Sequence, residues 1–141
     1  MKIIISCNKI ALALFYLFLL LEVVLFSFLT VDNSNKIVLK NEEERILFLK
    51  SNGFNNVEIL NSPKEVSVPI NQTNDYKKYL NQLKNCGWEL YKFSGKEVKI
   101  HSYKNSQAVV NLFFYNNVLV GGDFCEFNGG ETKPLLIKNE N

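Results

Sequence analysis

The side chains with the clearest chemical capacity lie in two stretches of the second half of the chain. Residues 121–127 read GGDFCEF and supply Asp123 and Glu126, while the earlier segment KIHSY supplies Lys99, His101 and Tyr103. Such groups can move protons or bind charge when a fold brings them together. No Ser-His-Asp motif, phosphate-binding glycine loop or C-x-x-C spacing accompanies them, and one histidine is too few for zinc. The sequence therefore predicts no enzyme, and no catalytic, cofactor-binding or metal-binding residue.

GGDFCEF differs from the GGDEF signature of cyclic di-GMP synthases in the spacing of its two acidic residues. Phe124 and Cys125 separate the two acids, so Asp123 and Glu126 fall on opposite faces of a regular strand. Glycines inside a strand often mark a bulge or a close approach. Because an unpaired carboxylate is expensive to bury, we expect a bulge at Gly121-Gly122 that turns Asp123 away from the core.

Residues 10–29, IALALFYLFLLLEVVLFSFL, are long and apolar enough to cross a bilayer. No small-x-small cleavage site follows, so an uncleaved anchor is favoured over a signal peptide, although cleavage stays open. Lys2 and Lys9 precede the stretch and Asp32 follows it. This asymmetry predicts a single-pass cell-membrane protein with a cytoplasmic N-terminus and an extracytoplasmic C-terminal domain, in contact with the lipid bilayer.

Glu22 is the one charged residue in that apolar stretch. It either contacts another helix in the membrane or is tolerated as a protonated side chain. The first alternative would make the chain an accessory subunit of a membrane complex.

Charge and cysteine content limit the partners of the remaining chain. Outside the anchor and its N-terminal flank, fourteen basic and thirteen acidic residues remain, which gives no electrostatic argument for nucleic acid. Cys86 and Cys125 could form a disulfide in an oxidising compartment, but the sequence does not decide this. The predicted organisation is a cytoplasmic N-terminus 1–9, an anchor 10–30, a linker 31–40, a domain 41–127 and a tail 128–141.

Two helices are predicted in the domain. Asn41 and Glu44 have capping-box spacing, and Gly53 can end the helix that they begin. A second helix follows Thr73-Asn74-Asp75 and stops at Gly87. Between the helices, residues 65–70 alternate as a short strand, which Pro69 confines to a sheet edge.

Three strands are predicted to finish the domain, at 96–103, 107–115 and 118–126, with an Asn116-Asn117 type I′ turn between the last two. The expected fold is α+β, with two helices on one face of a mainly antiparallel sheet in the order α-β-α-β-β-β.

A loop of residues 104–106 would put Ile100 opposite Val110 and leave one entirely apolar sheet face. The other face would be mixed and is the candidate interaction face. Its residues would include Lys99, His101, Tyr103, Asn111, Phe113, Tyr115 and Phe124. Exposed aromatic side chains of this kind mark a surface for an unidentified protein partner, unless another segment of the chain covers them.

The segments ERILFLKSNGF, YKKYLNQLKNCGWEL, FSGKEVKIHSY and VVNLFFYNNVLVGGDF occur in an order that resembles the domain of unknown function family 4830. The resemblance covers residues 42–126. It implies a small membrane-anchored, extracytoplasmic protein and transfers no catalytic residue. Function is thus expected to be that of a non-catalytic binding or interaction module at the cell surface; a small-ligand-binding or enzymatic domain is the further alternative. The oligomeric state is left open.

Overall fold

The computed structural model describes residues 36–136 and, before them, Phe18 alone. Residues 36–136 form an α+β domain with two α-helices and a six-stranded antiparallel sheet, which confirms the predicted class. The elements are α1 (Glu42–Ser51), β1 (Glu58–Ile59), β2 (Lys64–Ser67), α2 (Asn74–Asn85), a 3₁₀ helix (Leu90–Phe93), β3 (Glu97–Lys104), β4 (Ala108–Tyr115), β5 (Val118–Glu126) and β6 (Lys133–Pro134). No helix within the described part is long and apolar enough to cross a membrane. Apart from Phe18, the predicted anchor at 10–30, with Glu22, lies outside the described residues.

Helix α1 begins and ends where its local sequence predicts. The Asn41 side chain accepts a hydrogen bond from the Glu44 N–H at 2.8 Å, which satisfies one of the free donors of the first turn. At the other end Gly53 takes a positive φ of 95°. The chain then turns back, and the Phe54 N–H bonds the Leu49 carbonyl at 2.9 Å. This turn brings the Phe54 ring onto the sheet.

Helix α2 uses the same signals. Thr73 caps it by accepting from the Tyr76 N–H at 3.3 Å, and Gly87 ends it with φ 88°. The Trp88 N–H then bonds the Leu83 carbonyl at 3.1 Å. Both Leu83 and Trp88 are buried, so the end of the helix is fixed by apolar packing as well as by hydrogen bonds.

Strands β3, β4 and β5 form the centre of the sheet. Strands β1 and β2 both pair with the free edge of β3, and β6 pairs with the free edge of β5. The predicted strand at 65–70 appears as β2, at an edge as Pro69 requires. Beyond residues 41–127, Leu39 and Leu135 also join the buried core.

The hairpin between β3 and β4 differs from its prediction. Asn105 pairs with Ala108 across a two-residue turn, and the Asn105 side chain accepts from the N–H groups of Gln107 and Ala108, each at 2.9 Å. Consequently Lys99 faces Phe114, and the predicted pairing of Ile100 with Val110 is wrong. The change is by an odd number of residues, so every side chain of β3 moves to the opposite face from the one expected.

A bulge interrupts β5, but not at the predicted glycines. The pairs around it are Phe114–Leu119, Phe113–Gly121 and Leu112–Gly122. Val120 is therefore the extra residue, and Gly121-Gly122 pair regularly. Asp123 lies opposite Asn111 and is buried, with 5% of its surface exposed, so the expected outward turn is wrong.

Close packing accounts for the two glycines. A Cβ on Gly121 would lie 2.9 Å from the Phe113 ring, and one on Gly122 would lie 2.6 Å from a Leu135 methyl group. Each glycine thus lets a large apolar side chain lie directly on the β5 backbone.

The two helices cover opposite faces of the sheet, which corrects the expected arrangement on one face. Arg45 of α1 lies over the Phe114 ring, whereas Tyr79 of α2 bonds Asp123, the partner of Asn111. Residues 111 and 114 are an odd number apart on a regular strand and point to opposite faces. The order of layers is therefore α1, sheet, α2; we call the two sheet surfaces the α1 face and the α2 face.

Candidate functional site

The predicted interaction face does not exist as one surface. Lys99, His101, Tyr103 and Phe124 belong to the α1 face, and Asn111, Phe113 and Tyr115 belong to the α2 face. Tyr103 and Phe113 are almost fully buried, at 1% and 6% exposure. The physical reason is the register of the β3–β4 hairpin, which separates side chains that the longer loop would have placed together.

On the α1 face, His101 and Tyr103 pack under the first turns of α1. The Arg45 guanidinium lies 5.4 Å from the Phe114 ring centre and pairs with the Glu42 carboxylate at 3.1 Å. Burial, and then the charge of Arg45, lowers the pKa of His101. His101 is thus held towards its neutral form beside the Phe114 ring, as a packed side chain rather than an exposed cation.

On the α2 face, Asp123 is the centre of a buried hydrogen-bond network. The Tyr79 hydroxyl donates to Asp123 Oδ2 at 2.5 Å, and the Asn111 amide donates to Oδ1 at 2.8 Å. The Ser102 hydroxyl donates to the side-chain oxygen Oδ1 of Asn111 at 2.7 Å. The network joins α2 to β3, β4 and β5.

The electrostatics of this network are those of a buried acid. Burial raises the pKa of Asp123, and its hydrogen bonds from Tyr79 and Asn111 act in the opposite direction. Burial and then the nearby carboxylate raise the pKa of Tyr79 as well. Because both carboxylate oxygens are engaged and the side chain is buried, Asp123 holds α2 against the sheet and does not face a substrate.

A different part of the α1 face is open. A cavity of about 400 Å³ lies where the end of α1, the β3–β4 turn and the end of β5 meet. Its lining residues are Gly53, Phe54, Asn105, Ser106, Gln107, Ala108, Phe124, Glu126, Phe127 and Asn128. We call this space the hairpin-end cavity.

Three phenylalanines form the apolar part of the hairpin-end cavity. Phe54 and Phe124 contact each other edge to face, with ring centres 5.3 Å apart. Phe127 is 57% exposed. Phe54 reaches this position because Gly53 reverses the chain, so the helix end builds one wall of the cavity.

The polar part of the cavity is mostly uncharged. Glu126 is its one charged lining residue, and the Lys133 ammonium pairs with it at 3.2 Å. The same ammonium lies 5.9 Å from the Phe124 ring centre. Amides of Asn105, Gln107 and Asn128 complete the lining, a combination of aromatic and hydrogen-bonding groups that is typical of small-ligand sites.

Of the residues in this cavity, the sequence pointed to Phe124 as part of the candidate interaction face and to Glu126 as a chemically capable side chain, but not to Phe54, Phe127 or the amides. Phe54 had a local signal, because it directly follows the helix-ending Gly53 and so must fold back onto the helix. Asn105 also had a local sequence signal, because the side chain of an asparagine at the start of a tight turn commonly accepts a hydrogen bond from the backbone N–H two residues further along. No sequence pattern marks Phe127 and Asn128, because they follow the last long strand.

Among the described residues, the remaining reactive groups form no further site. Cys86 and Cys125 are both half-buried free thiols. Within residues 36–136, no group of three His, Cys, Asp or Glu side chains is arranged to hold a metal ion.

Comparison with known proteins gives no relative from which a function could be transferred. No family model matches the chain, and neither a curated protein nor a solved structure matches it. The resemblance to family 4830 therefore stays a prediction.

Proposed function

We propose that the domain is a non-catalytic binding module that takes a small ligand in the hairpin-end cavity. The observation that carries this proposal is the cavity itself, in which the exposed Phe127 ring and the half-buried Phe54 and Phe124 rings border free amide groups. Its volume of about 400 Å³ is within the range of roughly 300–1,000 Å³ for small-ligand sites. The buried Asp123 network, by contrast, offers no group to a substrate.

Ligand-observed ¹⁹F NMR with a library of neutral fluorinated fragments tests the proposal on the purified full-length chain. We expect a subset of aromatic amide fragments to bind, and Phe127→Ala to abolish most of that binding because it removes the exposed ring. Leu47→Ala is the matched control, since Leu47 is an equally exposed apolar side chain, 63% exposed, on α1. If fragments bind the wild type, Phe127→Ala and Leu47→Ala equally, or if no fragment binds, the cavity is excluded as the site.

We also propose that residues 10–30 tether this module outside the cytoplasm. Support comes from the sequence, in which an apolar stretch follows two lysines. In cells expressing Cys86→Ser/Cys125→Ser, a membrane-impermeant maleimide should label Cys7 only after lysis. In a matched variant with Cys7→Ser and Lys64→Cys added, the exposed position 64 should be labelled in intact cells. The opposite labelling pattern would show the reverse topology. Recovery of the chain in the soluble fraction would contradict the proposed tether.

A further inference from the structure

The charge of the hairpin-end cavity restricts the ligand class. Phosphate and carboxylate ligands need cationic partners; the cavity lining contains none, and the Lys133 ammonium beside the Phe124 ring is paired with Glu126. Its one carboxylate, Glu126, is already paired with Lys133. A neutral ligand is the class that such a lining accepts without leaving an unpaired charge.

The hairpin-end cavity has side-chain amides that are available to a ligand. The side chains of Gln107 and Asn128 are exposed and have no hydrogen-bond partner among the described residues. The side-chain oxygen Oδ1 of Asn105, in contrast, accepts two hydrogen bonds within the turn. Each free amide presents both a donor and an acceptor, which is the pattern that a hydroxyl group can satisfy.

Main-chain pairing with a peptide strand is disfavoured at this end of the sheet. The Phe127 N–H already bonds the Gln107 carbonyl at 2.9 Å, and the Asn105 N–H bonds the Ala108 carbonyl at 3.1 Å. An extended peptide gains affinity from a row of free backbone groups at a strand edge, and the N–H groups of Phe127 and Asn105 are already occupied here.

We infer that the hairpin-end cavity binds a neutral carbohydrate, with a sugar ring against the exposed Phe127 ring and its hydroxyls on Gln107 and Asn128. A pyranose has an apolar face of C–H groups and an edge of hydroxyls, and these match an aromatic surface bordered by amides. The inference rests on the proposed function and adds the ligand class to it.

Isothermal titration of the full-length chain tests the inference with N-acetylglucosamine tetramer, cellotetraose and maltotetraose. The chain is held in nanodiscs, because glycoside detergents would compete for the site. An acetylated and amidated Gly-Ala-Gly-Ala peptide represents the alternative ligand class. We expect saturable binding of at least one saccharide and no binding of the peptide.

Variants locate the binding. Phe127→Ala should weaken saccharide binding at least tenfold, Asn128→Ala should weaken it severalfold, and Leu47→Ala should leave it unchanged. Thermal unfolding midpoints that are equal for the three variants show that all three are folded. If no saccharide binds although the fluorinated fragments do, the carbohydrate inference fails and the binding function stands. If neither class binds, both fail; saccharide binding that is unaffected by Phe127→Ala also overturns the inference.

Discussion

The two faces of the sheet are both covered by a helix, but different chemistry holds each helix in place. On the α1 face, charged side chains are packed against rings, with Arg45 over Phe114. On the α2 face, a carboxylate is placed inside a network of directed hydrogen bonds, with Asp123 between Tyr79 and Asn111. This packing stops near the end of α1, where the α1 face opens into the hairpin-end cavity. The networked face therefore has a structural role, and the ring-packed face carries the cavity that we propose as a binding site.

The largest expected effects test whether both helices belong to the core. Leu49 of α1 and Leu83 of α2 are 0% and 1% exposed. Leu49→Ala and Leu83→Ala should each lower the free energy of unfolding by about 2–5 kcal/mol, because each removes buried methyl groups and leaves a cavity. Urea unfolding followed by the fluorescence of Trp88, the single tryptophan, measures this. A loss confined to one helix would contradict the three-layer arrangement.

Removal of the carboxylate should have the next largest effect. Asp123→Ala leaves the half-buried Tyr79 hydroxyl and Asn111 amide without their acceptor, which should destabilise the domain by about 1–3 kcal/mol. Tyr79→Phe is the matched control, because it removes one donor and leaves the carboxylate paired with Asn111. Urea midpoints that are equal for Asp123→Ala and the wild type would show that the network does not stabilise the domain.

The pH dependence of stability isolates the charge of Asp123. Burial raises its pKa above the usual 3.8, so the folded state keeps this proton to a higher pH than the unfolded chain does. The associated stability is complete below pH 3.8 and is lost as the pH rises through the raised pKa of the folded state.

Asp123→Asn should remove this part of the pH profile and leave the domain at least as stable at neutral pH. The oxygen of the new side-chain amide can accept a hydrogen bond from the Tyr79 hydroxyl. If the Asn111 amide rotates, its oxygen can accept a hydrogen bond from the NH₂ of the new amide, and its own NH₂ can donate to the Ser102 hydroxyl. The three hydrogen bonds are therefore kept. Thermal unfolding of both proteins from pH 3 to 8 gives the comparison, in which the titration of His101 is common to both. Parallel profiles would contradict a raised pKa at Asp123.

The smallest effect concerns ring packing on the α1 face. Arg45→Met keeps the apolar part of the side chain but removes the charge over Phe114, and should cost about 1 kcal/mol. Lys84→Met removes a cation that lies 5.0 Å from the Tyr91 ring on the protein surface, where both groups are exposed. Its effect should be about 0.5 kcal/mol or less. Equal losses in urea unfolding would mean that burial does not strengthen the Arg45 contact.

Much of the local structure was predictable, and the candidate site was predictable only in part. The caps at Asn41 and Thr73 and the helix ends at Gly53 and Gly87 all appear where the sequence places them. Of the hairpin-end cavity, Phe124 alone was predicted as a surface residue. The other lining residues come from three separate parts of the chain, and no local pattern says that these parts meet.

The sequence by itself determined the features that depend on neighbours within a few residues. Asn116 and Asn117 accept positive φ angles of 48° and 65° and so specify the β4–β5 turn without reference to the rest of the molecule. Tertiary structure alone decided which face each strand presents. The register of the β3–β4 hairpin differs from the expected one by three residues, an odd number that exchanges the two faces, and only packing against both helices can choose between them. The same packing placed the bulge at Val120 and thereby turned Asp123 towards Tyr79, where each of its two carboxyl oxygens accepts a hydrogen bond.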